Sequence, residues 1–179
     1  LHPEEKKALV PVLAIYGANA AGKSNVLHAM MTMKEMVVGN AAKVSKGQKL
    51  PWEPFGGTKV PTSFEMVFIF QGVRYTYGFS FDVKKIYKEY LYHWPNGREA
   101  LIFSRENGVY EFRENVNEQV TLSNRTPDNK LYLVSSNDWN LPQTENAYRW
   151  FLEKLTFLMD EEPATSETVA QIVSGDDKK

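Results

Sequence analysis

Eight consecutive residues near the start of the chain have the types and spacing needed to hold a phosphate group. The run Gly17–Ser24, GANAAGKS, matches G-x-x-x-x-G-K-[ST] at every fixed position. Glycines let the backbone approach a phosphate with no Cβ in the way, and successive N–H groups form an anion-binding nest. Lys23 supplies a positive charge for the β- and γ-phosphates, and Ser24 supplies a hydroxyl for Mg²⁺. A chance glycine turn is the alternative, and the complete match favours nucleotide triphosphate binding.

The residues on either side of this loop predict the elements that must position it. Pro11–Gly17 is a short apolar run ending at glycine and predicts a buried strand. After the loop, apolar residues recur at helical spacing and predict an amphipathic helix, whose N-terminus would face the phosphate. These residues are Val26, Leu27, Met30, Met33 and Val37. The order strand, glycine loop, helix is the one that a phosphate loop needs.

The next two parts of the chain differ sharply in composition. Residues 39–63 are rich in Gly, Lys and Pro and predict a loop. Residues 64–126 alternate aromatic and other residues, with hairpin turn signals at Gln71-Gly72 and Asn107-Gly108. This pattern predicts an antiparallel β meander whose Tyr and Phe stripes lie in the core.

The last part, residues 127–179, predicts a helical segment and a polar tail. NKLYLVSSN within it is compatible with a strand or with the start of a helix. Further on, Thr144 is the candidate N-cap of a helix whose apolar face includes Ala147, Trp150 and Phe151. Together with a P-loop unit at residues 1–38, these parts are expected to form one N-terminal lobe.

Composition narrows the chemistry and the location of the protein. The 179 residues are 42% hydrophobic with a formal net charge of −1, which gives no global electrostatic case for nucleic acid. With no cysteine, disulfides, thiolate metal sites and Cys nucleophiles are excluded, and three unclustered histidines argue against structural zinc. No apolar run approaches the roughly 18 residues of a spanning helix, and the charged N-terminus does not resemble a signal peptide. We therefore expect a cytoplasmic protein with no membrane partner; its start at Leu1 is compatible with a fragment.

Four lysines make the loop at residues 39–63 locally basic: Lys43, Lys46, Lys49 and Lys59. Two interpretations stay open at this point. The lysines could meet nucleic-acid phosphates, which would make DNA or RNA a partner, or they could simply be solvated. A solvated loop is the commoner meaning of such a run.

The phosphate loop and the meander carry a resemblance to a known group. GANAAGKSN followed by a helix resembles the ATP-binding heads of ABC-type ATPases related to RecF and SMC. It is most similar to bacterial AAA-family ATPases of the RloA kind, which include the ATPase components of Septu and retron anti-phage systems. The segments PTSFEMVFIFQGVRYTYGFSFD, IYKEYLYHWPNGREALIFSR and YRWFLEKLTF are similar to that group's pattern, over roughly residues 12–160.

The resemblance implies an α/β fold: a P-loop NTPase lobe of an ABC-ATPase-like head, with an antiparallel β meander and a helical segment. It implies ATP and Mg²⁺ as cofactors, Lys23 as the catalytic residue and Mg²⁺ on Ser24. ATP would be sandwiched in a homodimer or higher oligomer of heads that controls an HNH-type nuclease or another defence effector. The residues predicted to bind nucleotide are Gly17, Ala18, Asn19, Ala20, Ala21, Gly22, Lys23, Ser24 and Asn25.

The acidic run LTFLMDEEP raises the question of a second nucleotide motif. Asp160 and Glu161 after an apolar stretch are the residues of a Walker B strand, which would hold Mg²⁺ and polarise water. Against this, a predicted helix runs into the stretch, the sequence L-S-G-G-Q is absent, and the resemblance places the family's Walker B much later. We favour a helix end followed by a solvated acidic turn. The Walker B, signature and H-loop are then expected outside these residues.

Two glutamines could supply the Q-loop that senses Mg²⁺ in such heads. Gln143 is the preferred candidate and Gln119 the alternative; both are also compatible with surface polar residues. Two other functional classes remain alternatives to an ATPase. A kinase or GTPase-like switch is disfavoured because no N-K-x-D motif is present, and a non-hydrolysing scaffold would bind nucleotide only to hold an oligomer together.

Overall fold

A computed structural model describes residues 13–157 of the chain. Over this range the chain forms four α-helices, two short 3-10 helices and a five-stranded sheet. The α-helices are α1 Lys23–Val38, α2 Val116–Ser123, α3 Tyr132–Asp138 and α4 Pro142–Glu153. The strands are β1 Thr62–Phe70, β2 Val73–Phe81, β3 Ile86–Trp94, β4 Ala100–Glu106 and β5 Val109–Phe112. The 3-10 helices are Asn40–Lys43 and Phe55–Gly57. The α/β class predicted from the sequence is confirmed.

The sheet is an antiparallel meander in the order β1-β2-β3-β4-β5, as predicted. Two of its hairpins turn where the sequence placed them. Gln71 and Gly72 have φ of 50° and 77°, and Asn107 and Gly108 have φ of 48° and 84°. Positive φ at both central residues is the requirement of a type I′ turn, whose twist matches that of the flanking strands.

The meander ends earlier than residue 126, so that predicted boundary is wrong. The strands stop at Phe112, and α2 follows Asn115, whose φ of 45° turns the chain out of the sheet. α2 buries Gln119 and Leu122 on the side that faces the protein. Two buried positions three residues apart fit a helix and not the alternation of a strand.

One face of the sheet and the helices that cover it form the core. Phe68, Tyr77 and Phe79 of the sheet are almost completely buried, as the stripe prediction required. Met33 and Val37 of α1 are buried in the same cluster, together with residues of α3 and α4. α1 is therefore held in the core along its C-terminal half, against α3 and α4, which fixes the helix that follows the phosphate loop.

The predicted strand before the phosphate loop is wrong for the residues that the structure describes. Residues 13–17 are irregular, and Leu13 and Tyr16 are 66% and 90% exposed. A strand requires a neighbour to accept and donate its backbone hydrogen bonds. Each strand formed within residues 13–157 pairs only with its meander neighbours, and none of them pairs with this segment. Residues 11 and 12 lie outside the described range.

Three further predictions of local structure can be compared with the fold. The segment NKLYLVSSN forms a helix, α3, and not a strand. Thr144 is not an N-cap: Leu141 precedes α4, and the buried Thr144 hydroxyl donates to Ser136 Oγ over 2.7 Å. The loop at 39–63 contains the two 3-10 helices. Asp160 and Glu161 lie outside the described residues, and no helix within those residues is long and apolar enough to cross a membrane.

Candidate phosphate-binding site

The predicted phosphate loop forms a tight reversal that ends where α1 begins. The Ala21 N–H donates to the Ala18 carbonyl over 3.2 Å, which closes a turn inside the loop. Ala20 and Gly22 have φ of 63° and 86°, both in the left-handed region. Two such residues two positions apart bend the backbone sharply, and helical geometry starts at Lys23 directly afterwards. The loop therefore delivers the lysine and the serine at the first positions of a helix.

Lys23 folds back over the loop that precedes it. Its Nζ donates to the carbonyl oxygens of Gly17 and Ala18, each over 2.6 Å. The ammonium thus bridges the two carbonyls at the start of the loop and holds a positive charge there. Both contacts are to exposed backbone oxygens, so a phosphate oxygen can compete for the same donors.

The first turn of α1 offers donors that no residue of the described chain uses. The Val26 N–H bonds the Gly22 carbonyl, and the N–H groups of Lys23, Ser24 and Asn25 precede it. No side chain caps this end, and the first turn holds no acidic residue. Uncapped N–H groups at a helix start carry a partial positive charge. Together with Lys23 they place positive charge at the start of α1, which suits a polyphosphate.

The space around Gly17 fits a group that must come close to the backbone. A Cβ placed there would lie 3.6 Å from Cδ of Lys23, in ordinary contact. The glycine is therefore not needed to relieve a clash in this conformation, and its φ is not positive. Its missing side chain instead leaves the approach to Lys23 open, which is what a bound phosphate requires.

Ser24 is exposed and directly follows the lysine, so its hydroxyl is accessible to a metal ion. Mg²⁺ accepts oxygen ligands and typically retains several waters, with few protein ligands and with substrate phosphates completing its shell. A single exposed hydroxyl beside a phosphate cradle fits this donor set. The site residues are thus compatible with Mg²⁺ held between Ser24 and a bound nucleotide.

The two candidate Q-loop glutamines lie in different surroundings. Gln119 is completely buried: its amide nitrogen donates to the Glu114 carbonyl, and its amide oxygen accepts from the Tyr132 hydroxyl over 3.2 Å. Both ends are used within the protein, which removes Gln119 from consideration. Gln143 is half-buried near the start of α4, and its Oε1 has no hydrogen-bond partner within the described residues.

No hydrogen bond among residues 13–157 links Gln143 to the phosphate loop. The hydrogen bond that ties α1 to the end of α4 is made by Lys34, which donates to the Leu155 carbonyl. Lys34 lies eleven residues after Lys23, about 16 Å along the helix axis. The role of Gln143 in Mg²⁺ sensing therefore stays a prediction from the sequence.

A second charged centre, which the sequence did not predict, lies in the core. Glu89 of β3 and Arg105 of β4 face each other across the sheet, 3.8 Å apart and buried. The Glu89 carboxylate also accepts the N–H groups of Tyr132 and Leu133, over 2.6 and 2.9 Å, and the Tyr77 hydroxyl over 3.0 Å. We call Glu89, Arg105, Tyr77 and the α3 start the buried polar cluster.

Arg105 fixes the segment that leads into α3. Its two terminal nitrogens donate to the carbonyls of Lys130 and Asp128, over 2.8 and 3.0 Å. Burial raises the pKa of Glu89, while the Arg105 guanidinium and the two backbone donors oppose that shift. The cluster holds α3 to the sheet and has no opening to solvent at either charged side chain, so it is structural and separate from the phosphate loop.

The cradle of backbone N–H groups, the folded-back lysine and the helix behind them define a P-loop nucleotide-binding protein. The chain belongs to the AAA domain family, because residues 12–132 match the family described as AAA domain, putative AbiEii toxin, type IV TA system. P-loop ATPases of this family bind ATP with Mg²⁺. Comparison with curated proteins and with solved structures found no match.

Proposed function

We propose that the chain is the ATP-binding and ATP-hydrolysing lobe of an ABC/SMC-like head, which works in a bacterial anti-phage defence or DNA-associated complex. The observation that carries the nucleotide part is the phosphate loop itself. Lys23 sits on the Gly17 and Ala18 carbonyls, and the N–H groups of the first turn of α1 are unused by the described residues. This arrangement suits the phosphates of a nucleotide.

Each residue of the loop has a defined task in this proposal. The free N–H groups of Lys23, Ser24 and Asn25 bind and orient the phosphates, because the first turn of α1 sets their geometry before the ligand arrives. Lys23 leaves the two carbonyls and neutralises charge that builds on the γ-phosphate during transfer. Ser24 would hold Mg²⁺ through its hydroxyl, and the ion would supply positive charge that stabilises the phosphate oxygens.

Several features support a dimer of heads around the nucleotide. The loop residues from Gly17 to Ala21 are exposed, so one protomer leaves the nucleotide open to water. Leu13 and Tyr16, beside the loop, expose apolar surface of the kind that further protein would cover. A second head that covered this surface would exclude water from the phosphates, which strengthens every charge interaction there.

The defence role and the nuclease or other effector rest on the resemblance of the loop and meander. The family description, which names a toxin of a toxin–antitoxin system, is compatible with such a role. A scaffold that binds nucleotide without hydrolysing it is the main competitor. A kinase or GTPase-like switch is less favoured, since no base-reading motif accompanies the loop.

A turnover assay on the full native chain tests the proposal. Phosphate release from Mg-ATP is compared among the wild type, Lys23→Ala and Lys59→Ala, the last being an exposed lysine outside the loop. We expect Lys23→Ala to abolish binding and hydrolysis and Lys59→Ala to leave both unchanged. Nucleotide binding without phosphate release in the wild type would favour the scaffold, and unchanged affinity in Lys23→Ala would contradict the loop assignment.

The acidic run provides a separate test of where the catalytic acid lies. Asp160→Asn and Glu161→Gln are expected to have little effect on hydrolysis by the complete protein, because the run is predicted to be a solvated turn. A collapse of turnover in either acidic variant would restore the Walker B interpretation.

The head dimer is tested by the molar mass of the protein in solution, measured with and without ATP. We expect ATP to increase the molar mass of the wild type and not that of Lys23→Ala.

A further inference from the structure

Three loops bring five lysines together at the end of α1 opposite the phosphate loop. The loops are residues 43–50, which follow α1, the β2–β3 turn at 82–85, and residues 127–130 before α3. The first two carry the lysines, which we call the lysine patch: Lys43, Lys46, Lys49, Lys84 and Lys85. About 40 residues separate the two groups in sequence, so their grouping is a property of the fold.

A backbone hydrogen bond joins the two lysine-bearing loops directly. The Leu50 N–H donates to the Val83 carbonyl over 3.0 Å. Lys49 precedes the donor residue and Lys84 follows the acceptor residue, so both lysines stand one position from the same bond. Leu50 is buried, which anchors the first loop to the protein beneath the two exposed lysines.

The third loop fixes the turn that carries Lys46. The Asn129 side-chain amide donates to the carbonyls of Ser45 and Gln48, over 2.8 and 2.9 Å. The Gln48 N–H closes the turn on the Ser45 carbonyl over 3.0 Å, with Lys46 at its exposed tip. Asn129 is itself buried, so the turn is held in place from below. The lysine backbone positions are therefore set by the fold before any ligand arrives.

Positive charge predominates in the patch. Among residues 13–157, none of the five lysines forms an ion pair. Asp82 lies in the turn of Lys84 and Lys85 and offsets part of their charge, while Asp128 faces Arg105 at 3.9 Å, so the three loops carry six lysines against two aspartates. In a chain with a net charge of −1, this end is a local basic surface.

We propose that the lysine patch binds the phosphate backbone of double-stranded nucleic acid. Lysine is a compact, strongly hydrated point charge that suits phosphate. Protein–protein interfaces are instead depleted in lysine and enriched in arginine and aromatic residues, and the patch contains no arginine. The fixed loops present several such charges on one surface, which matches a regularly charged duplex backbone.

The surroundings of the lysines favour a duplex as the partner over a membrane surface or a single strand. A membrane surface site combines basic residues with apolar side chains that insert into lipid, and here Val44 and Leu50 are buried. Single strands are held by exposed aromatic rings on which bases stack. The ring beside the patch, Tyr87, instead lies under the Lys85 ammonium at 4.6 Å.

The patch and the nucleotide site are separate surfaces. α1 has 16 residues, so its two ends lie about 24 Å apart. Substitutions in the patch therefore leave the phosphate loop in place, and the proposal does not depend on ATP hydrolysis. Failure of one proposal is distinguishable from failure of the other when duplex and nucleotide binding are measured on the same protein.

The test uses the full native chain and a fluorescent 30-base-pair duplex, with anisotropy measured from 50 to 300 mM NaCl. Lys46→Gln/Lys84→Gln removes two patch charges, and Arg98→Gln/Arg113→Gln removes two charges from exposed positions outside the patch. Each lost phosphate contact lowers the slope of log K against log salt by about 1. We expect a slope reduced by about 2 in the lysine variant alone, with binding of a fluorescent ATP analogue unchanged.

Four results would overturn the proposal. They are no duplex binding at 50 mM NaCl, an equal loss of binding in the two double variants, binding of a dT30 single strand tighter than the duplex, and binding of phosphatidylserine vesicles that competes fully with the duplex. If the wild type bound the duplex but did not bind the ATP analogue, the nucleotide site would be contradicted and the lysine patch would be supported.

Discussion

Lys23 and Arg105 carry the same charge in opposite surroundings. Lys23 is held by carbonyls five and six residues away, in an exposed loop. Arg105 is 2% exposed and is held by Glu89 and by carbonyls 23 and 25 residues away. The lysine is available to a ligand because its protein contacts are replaceable, whereas every contact of the arginine serves the fold. A cation is therefore functional or structural according to what surrounds it.

The largest expected effect comes from removing one charge of the buried polar cluster. Glu89→Gln leaves the Arg105 guanidinium buried without its carboxylate, and a broken buried pair costs about 3–5 kcal/mol. Urea denaturation should show a lower midpoint at an unchanged m-value. ATP-analogue binding by the folded fraction should be unaffected, because the cluster is separate from the loop.

A second variant keeps that prediction testable if Glu89→Gln does not fold. Glu89→Gln/Arg105→Met removes both charges, so no unpaired ion remains in the core. We expect it to be more stable than the single variant, which is the non-additive behaviour of residues in contact. An unchanged midpoint in Glu89→Gln, or strict additivity, would show that the paired charges of the cluster do not stabilise the fold.

The next largest effect is expected on ATP turnover and not on stability, which is the opposite of the effect expected for Glu89→Gln. Lys23→Ala should lower ATP turnover by at least about a hundredfold, the scale of losing one preorganised charge in a transition state. Its free energy of unfolding should change by less than about 0.5 kcal/mol, as for a surface side chain outside the core. A circular-dichroism melt beside the turnover assay checks both. A clear loss of stability would place Lys23 with the structural cations.

The two centres also differ in how far the sequence could predict them. The phosphate loop is a contiguous motif whose contacts are local, so its residues were identified without the fold. The pair of Glu89 and Arg105 depends on the registers of β3 and β4, which include a bulge between Leu91 and Tyr92. In KEYLYHW the aromatic residues are the obvious candidates for the core. Instead, Glu89 and Leu91 pair with Phe79 and Tyr77 and therefore lie on the core face of the sheet.

The same distinction explains which structural predictions were wrong. Turns such as Asn107-Gly108 depend on their own residues, and the meander was therefore predictable. The segment before Gly17 depends on a neighbouring strand, which the apolar pattern cannot supply. Thr144 has the chemistry of an N-cap, but its contact with Ser136 depends on how α3 and α4 pack. Local chemistry was predictable and long-range partners were not.

A smaller effect separates strain from space inside the phosphate loop. Gly22 has φ of 86° and no atom within 4 Å of the point where a Cβ would lie, so Gly22→Ala meets only backbone strain, about 1–2 kcal/mol. Ala20 has φ of 63°, and Ala20→Gly relieves the same strain while adding chain entropy to the unfolded state. Denaturation midpoints should fall for Gly22→Ala and change little for Ala20→Gly. Equal shifts of the denaturation midpoint in both variants would show that the loop does not keep residues 20 and 22 in the left-handed conformation.

The smallest effect concerns the carboxylate of the β2–β3 turn and its pH dependence. Partial burial opposes ionisation of Asp82, but the N–H groups of Lys84 and Lys85 and the Tyr87 hydroxyl outweigh it and lower the pKa. A carboxylate with a depressed pKa stabilises the fold above its unfolded pKa and loses that contribution as pH falls. Asp82→Asn should therefore be less stable than the wild type at pH 7 by under about 1 kcal/mol.

The difference between the wild type and Asp82→Asn should shrink below about pH 4, as the carboxylate takes up a proton. Urea midpoints at pH 7, 5 and 3 measure this difference, and Glu99→Gln is the control because that exposed carboxylate forms no hydrogen bond or ion pair within residues 13–157. If the stability difference between the wild type and Asp82→Asn increased on acidification, the turn would not stabilise the ionised form of Asp82. The turn would then owe its shape to backbone hydrogen bonds alone, such as the one from the Asp82 N–H to the Lys85 carbonyl.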